Sequence, residues 1–124
     1  MRVLFVCVEN SNRSQMAEGF ARHLGADAHS AGSRPSGRVS PKAIAAMAER
    51  GIDIAQNKSK SLQDLPDQRW DWVVTMGCGD ACPFVPAKNR ADWALPDPRD
   101  LEPDEFNKVR DEIEARVRAL LDLE

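Results

Sequence analysis

Two short runs of the chain, Val3-Leu4-Phe5-Val6 and Trp72-Val73-Val74-Thr75, are apolar without interruption and rich in β-branched and aromatic side chains. Unbroken runs of this length predict strands covered on both faces, as in a parallel sheet. The first is read from Arg2 to Val6 and the second from Trp70 to Met76. Elsewhere the period lengthens. Met16, Ala17, Phe20, Ala21 and Leu24 recur at three- and four-residue steps, which predicts a helix over Ser14 to Leu24 stopped by Gly25. Ala43, Ile44 and Met47 mark a second helix to about Arg50, with Ser40 as its cap, Pro41 at its first position and Gly51 at its end. Phe106, Val109, Ile113, Val117, Leu120 and Leu121 predict a long amphipathic helix from Pro103 to Leu123. Weaker signals suggest a strand over Ala26 to Ala31, a short strand around Trp93, and a helical turn over Leu62 to Leu65 capped by Ser61. Gly32 to Ser40, Gln56 to Ser61 and Gly77 to Pro83 read as loops.

Strands alternating with helices predict an α/β fold: a three-layer sandwich with a central, mostly parallel, four-stranded sheet flanked by helices. Ligands of such sheets sit at the carboxyl ends of the strands. The loops after the two strong strands begin near Cys7 and Cys78, so both are expected on the same edge of the sheet.

Length and charge narrow the picture. A chain of 124 residues is expected to form one domain, 1–124. With 17 Lys and Arg against 20 Asp and Glu, the net charge of −3 argues against general nucleic-acid binding. No stretch approaches the ~20 apolar residues of a membrane span. The N-terminal apolar run turns polar by Glu9-Asn10, unlike a signal peptide. A cytoplasmic protein is the expectation, with its three cysteines reduced at rest.

The segment Cys7-Val8-Glu9-Asn10-Ser11-Asn12-Arg13-Ser14 carries the candidate chemistry. It lies between a predicted strand and a predicted helix. A thiolate at a helix N-terminus is favoured by the helix dipole and by neighbouring cations. Backbone N–H groups of a loop entering a helix form an anion-binding nest. Arg13 adds a planar fork suited to two oxygens of a tetrahedral oxyanion. Ser14 can donate to the thiolate, and Asn10 can brace the loop. The whole suits attack by sulfur on the central atom of an oxyanion. The plainer reading is a small buried cysteine followed by a solvated arginine.

Val6 to Ser14 resembles the phosphate-binding loop of the low-molecular-weight protein tyrosine phosphatase superfamily. So do Ser14-Gln15-Met16-Ala17-Glu18-Gly19, Ser30-Ala31-Gly32, and Trp93 to Pro98 with its Asp-Pro pair. Within the superfamily the chain most resembles the thioredoxin-coupled arsenate reductases, from Val3 to about Val117. The resemblance implies the fold of that superfamily, with Cys7 as nucleophile, Arg13 as main oxyanion ligand and Asp97 as general acid. Residues Val8 to Ser14 would form the oxyanion-binding loop. It also implies a disulfide relay through Cys78 and Cys82, closed by a thioredoxin or glutaredoxin-type donor. No cofactor and no metal ion is expected, nor a nucleic-acid or membrane partner.

Several residues depart from the resembled pattern. Gly77 precedes Cys78 where the branch keeps its first resolving cysteine directly after the strand, and Cys82 follows after only four residues. On a regular helix that step separates Cα atoms by about 6 Å, near the upper limit for a disulfide. A Cys78–Cys82 bond therefore requires a loop or an unwound segment. The chain has no tyrosine, so the aromatic platform that phosphatases set beside Asp-Pro is missing. Some reductases hold potassium behind the loop. Asn10, Glu18 and Ser30 match three of its ligands, while Lys60 stands at the acidic fourth, which suggests an ammonium in place of the ion. Glu9 is expected to point away from an anion. Two further readings stay open: a phosphatase for phosphotyrosine or another small phosphoester, using Cys7 and Asp97, and a non-catalytic module that senses oxyanions or redox state.

Overall fold

The architecture comes from a computed structural model that describes residues 1–65, 69–77 and 85–122. The elements in order are β1 (Arg2–Cys7), α1 (Arg13–His23), β2 (Asp27–Gly32), α2 (Pro41–Ala48), a 3-10 turn (Leu62–Asp64), β3 (Trp72–Thr75), β4 (Asn89–Asp92) and α3 (Pro103–Asp122). The four strands form one parallel sheet in the order β2-β1-β3-β4. The chain leaves β1 toward one side and returns to the other, which makes the gap between β1 and β3 the topological switch point. Cys7 ends β1 and faces Gly32 in the register with β2. Val6 faces Thr75 of β3.

Alternating side chains of β1 divide between two cores, as the pleat requires. Val3, Phe5 and Cys7 join Val74 and Met76 in the larger cluster, where α1, α2 and α3 contribute Phe20, Met47 and Ile113 among others. Leu4 and Val6 join Ala31, Trp70 and Val73 in the smaller one, covered by Leu62, Leu65, Val85 and Ala87. The sheet is thus apolar on both faces, and the continuous runs of β1 and β3 follow from that.

The helix boundaries follow the expected punctuation. Ser40 Oγ accepts the Lys42 N–H at 3.2 Å and Pro41 opens α2. The helix stops at Ala48, two residues earlier than its pattern suggests, and Gly51 turns the chain at φ 75°. The last strand departs from expectation. It covers Asn89–Asp92, polar residues on the edge of the sheet, and ends before Trp93. Trp93 instead turns inward and packs on Phe5, with ring centroids 5.9 Å apart. An edge strand is satisfied by one partner and needs no apolar run, so its composition hides it.

Charged groups tie the elements together. The Arg2 backbone N–H donates to Asp71 Oδ2 at 2.7 Å and its Nε donates to Asp27 Oδ2 at 3.0 Å. Buried Arg110 on α3 donates to the Ala46 carbonyl of α2 at 2.9 Å. One turn along, Glu114 takes Arg50 at 2.8 Å and Arg118 at 3.0 Å. Burial by itself raises the Glu114 carboxyl, and the hydrogen bonds from Arg50 and Arg118 more than offset it, so the group titrates below the usual carboxylate range. A depressed folded-state pKa contributes stability above the unfolded value of 4.5 that is lost as pH falls through the folded value. Glu114→Gln should therefore cost about 1 kcal/mol at neutral pH. The gap in melting temperature between wild type and variant should close as pH drops below 4.5; a gap that persists in acid would remove the charge pairing as its cause.

Candidate functional site

The carboxyl ends of β1, β3 and β4 bring three segments together: Cys7 to Arg13, Gly77, and Trp93 to Arg99. Cys7, Glu9, Ser11, Asn12, Arg13 and Asp97 line a small open cup there. The thiol of Cys7 lies at its base, 2% exposed. Asp97, some ninety positions away in sequence, reaches the same cup.

The loop owes its shape to its carbonyls. Cys7, Val8 and Glu9 carbonyls accept from the backbone N–H groups of Ser33, Arg34 and Ser36, at 3.2, 2.7 and 3.0 Å. The Ser11 carbonyl accepts from Ser40 N–H at 3.1 Å. The Asn10 carbonyl accepts from Gln15 Nε2 at 3.2 Å. In a trans peptide the N–H points opposite to the preceding C=O, and the described chain has no cis bonds. Carbonyls bound on the outside therefore turn the N–H groups of Val8 to Asn12 to the other side of the loop, the arrangement of an anion nest. The first turn of α1 holds no acidic residue to oppose that polarity.

Asn10 is the pivot of the loop. It is the one described non-glycine residue with positive φ, 51°. Its Oδ1 accepts from Lys60 N–H at 2.9 Å and from Gln15 Nε2 at 3.0 Å. Its Nδ2 donates to Ser14 Oγ at 2.7 Å. Ser14 Oγ in turn lies 2.9 Å from Cys7 Sγ. Because the hydroxyl oxygen already accepts from Asn10, its single proton is free for the sulfur. The row Asn10–Ser14–Cys7 thus presents a donor to a thiolate.

Arg13 is 6% exposed, and its Nη1 donates to the Leu95 carbonyl at 3.0 Å. That bond fixes the guanidinium against the segment leading to Asp97. Asn12 also lines the cup; its Oδ1 is buried with no partner among the described residues. Glu9, expected to face away from an anion, has a partner the sequence did not show. It stands at the rim with its carboxylate on Arg99, 3.2 Å from Nη1.

Behind the loop, buried Glu18 accepts from Ser30 Oγ at 2.9 Å and from Asn57 Nδ2 at 2.9 Å. The Lys60 ammonium sits 3.5 Å from Glu18 Oε1, 3.4 Å from Ser30 Oγ and 3.3 Å from the Lys58 carbonyl. An ammonium so placed occupies the space in which a potassium ion would need those oxygens, so these residues do not fit the ion. Among the described residues, no group of three or more His, Cys, Asp or Glu side chains can hold a metal. The two histidines stand away from the cup, His29 bonded to Asp27 at 2.9 Å.

Not every expected residue can be placed. Cys78 and Cys82, with their four-residue spacing, lie outside the described residues. Gly77, just before them, has a physical reason to be glycine that spacing does not show. It has φ of 80°, and a Cβ there would stand 2.6 Å from Arg13 Nη1 and 2.8 Å from the Leu95 carbonyl. Gly32 is similarly pressed: a Cβ would meet the Val8 carbonyl at 2.7 Å. Gln15 and the Leu95 carbonyl also escaped sequence reading. Gln15 reads as an ordinary helix residue until burial shows it bonded to Asn10 and Lys58. A backbone carbonyl leaves no trace in the residue alphabet.

Residues 2–123 match the family described as low molecular weight phosphotyrosine protein phosphatase. The chain is similar to a glutaredoxin arsenate reductase of Synechocystis sp., 41% identical over 97% of this chain and 95% of that protein. It is also similar to an arsenate reductase of Staphylococcus xylosus, 43% identical over 93% and 92% respectively. Among solved structures, an arsenate reductase in the phosphate binding state superposes with a TM-score of 0.87 at 38% identity, covering 98% of this chain and 96% of that one. The geometry around Gly77 predicts that Gly77→Ala displaces the Arg13 guanidinium and weakens inorganic phosphate binding by about tenfold. Isothermal titration with phosphate checks this, and unchanged affinity would show that Arg13 does not need the space.

Proposed function

We propose that this chain, which belongs to the low molecular weight phosphotyrosine protein phosphatase family, is an arsenate reductase. The observation that carries this reading is the breadth of the likeness: reductases match across more than nine-tenths of the chain and of their own length. The cup supplies chemistry of the right kind. Backbone N–H groups and Arg13 hold the oxyanion, and Cys7 at the base attacks arsenic. Asp97 gives a proton to the departing oxygen, which leaves as water.

The reduction itself needs two electrons, and a pair of thiols provides them. In the proposed relay the Cys78 thiolate attacks Cys7 Sγ. The sulfur–arsenic bond breaks, its electron pair stays with arsenic, and arsenite leaves as As(III) while a Cys7–Cys78 disulfide forms. Cys82 then attacks Cys78 and frees Cys7, leaving Cys78–Cys82 for an external dithiol of thioredoxin or glutaredoxin type to reduce. The chain has no tyrosine to set beside Asp97, which favours a small inorganic oxyanion over an aryl phosphate. No helix among the described residues is long and apolar enough to cross a membrane, and a cytoplasmic location, where thiols stay reduced, suits the relay.

Purified protein with arsenate, a thioredoxin or glutaredoxin system and NADPH should consume NADPH, and Cys7→Ser should abolish consumption. Mass spectrometry after one turnover without donor should find a disulfide joining two of Cys7, Cys78 and Cys82. Hydrolysis of p-nitrophenyl phosphate that needs Cys7 but tolerates Cys78→Ser and Cys82→Ser, with no arsenate reduction, would instead establish a phosphatase. We also place the Lys60 ammonium in the role of a structural cation. Exchanging sodium for potassium at constant ionic strength should leave the wild-type melting temperature unchanged, whereas Lys60→Asp should become potassium-responsive. A potassium response in the wild type would overturn this.

A further inference from the structure

Asp97 lies on a turn held from both sides. Two residues before it, the Leu95 carbonyl accepts from Arg13. Two residues after it, Arg99 reaches back to the nucleophile's own loop and pairs with Glu9, its Nη1 3.3 Å from Oε1 and 3.2 Å from Oε2. The Arg99 backbone N–H donates to Asp97 Oδ1 at 3.0 Å. Among the described residues, Asp97 Oδ1 is the oxygen this bond engages. On the outer side Lys42, in the first turn of α2, donates to the Arg99 and Leu101 carbonyls at 2.8 and 3.2 Å. The acid is therefore bracketed, with Arg13 fixing the residue at 95 and Glu9 fixing the residue at 99.

We infer that Glu9 and Arg99 are positioning residues: a clasp across the mouth of the cup that holds the Asp97 turn over Cys7. The inference rests on the reductase reading for its consequence in turnover, but the clasp itself is a property of the mouth. It also accounts for a carboxylate beside an anion site. Left alone, Glu9 would repel the oxyanion. Paired with Arg99, it trades that repulsion for a tie between two loops ninety positions apart in sequence. Glu9 and Arg99 side chains are 33% and 60% exposed, so the clasp is loose enough to open for entry and exit. Exposed pairs are worth up to ~1 kcal/mol, enough to shift an open–closed balance severalfold rather than to lock it.

The two partners carry opposite charges, and that gives the test its sign. If each acted only through its own field, removing Arg99 would make the Cys7 thiolate less favoured and removing Glu9 would make it more favoured. If they act as a clasp, losing either one opens the mouth. The rate of Cys7 alkylation by iodoacetamide, taken at its high-pH plateau and assigned by peptide mass mapping, should rise about three- to fivefold in both Glu9→Gln and Arg99→Gln. The double variant should be no faster than either single one. Arg99→Lys should stay near wild type, and high salt should bring wild type up to the variants. With arsenate, both singles should lower kcat, including Glu9→Gln, whose lost negative charge should at the same time lower KM. Opposite signs in the two singles, or additive effects in the double, would overturn the clasp. Because alkylation needs no substrate, an enzyme that failed to reduce arsenate would remove the reductase reading and leave the clasp to be judged by the alkylation rates. Normal arsenate turnover with unchanged alkylation would do the reverse.

Discussion

A polar loop buried at the end of a parallel strand must satisfy every backbone group it takes out of water, and this requirement governs the molecule. The loop from Cys7 to Arg13 meets it by binding its carbonyls outward to three other parts of the chain, the N–H groups of residues 33–36 and of Ser40 and the hydroxyl of Ser59. The cost of leaving even one such group unpaired is of order 1–3 kcal/mol. The segments after β2 and before the 3-10 turn, irregular as they are, are therefore held in place by the loop as much as they hold it. Asn10 concentrates the constraint. Its left-handed backbone is unfavourable for most residues, and its side-chain amide is bonded at both the oxygen and the nitrogen. The same amide bonds the Ser14 hydroxyl that lies on the Cys7 sulfur, so the backbone conformation of the loop and the surroundings of that thiol have one origin.

Electrostatic balance in the site follows from what surrounds it. The cup gathers donors and a guanidinium, and the region behind it gathers a buried carboxylate. Glu18 is nearly out of solvent and would be costly alone. Ser30, Asn57, Lys60 and Arg22 share it between them, at 2.9 to 3.7 Å. One of these partners is a lysine, whose cation is tethered to the chain. The positive end of α1 is then free to act on whatever enters from the other side.

The elements that bury a continuous apolar surface, on both faces for the strands and on one for the long helix, were legible in the sequence. β1, β3, α1 and α3 announce themselves by unbroken runs or by three- and four-residue periods, and their ends lie within a few positions of the expected ones. β4 was not, since its polar edge position asks nothing of hydrophobicity. The thiol and the arginine of the site were legible because a loop of that length between a strand and a helix brings sulfur, guanidinium and backbone N–H groups to one point. That Asp97 would reach the same cup was suggested only by resemblance, an Asp-Pro pair being in itself an ordinary turn. Glu9 had no partner legible in the sequence: its sign argues against an anion site, and only the fold reveals that Arg99 pairs with it. Gly77 reads in the sequence only as a residue intervening before Cys78, because the sequence does not show that a guanidinium passes where its side chain would be.

The position of the Cys7 sulfur is referred to the opposite end of its strand. Arg2 begins β1 bonded both to Asp71 ahead of β3 and to Asp27 at the start of β2. In a parallel strand each residue advances the chain by about 3.3 Å and reverses the face on which its side chain lies. Slipping β1 by one step would carry Cys7 out of the cup and deliver Val6 or Val8 in its place. A surface arginine far from any substrate thus works as the zero mark of a ruler, and the chemistry at the far end of the strand is only as well aligned as that first mark.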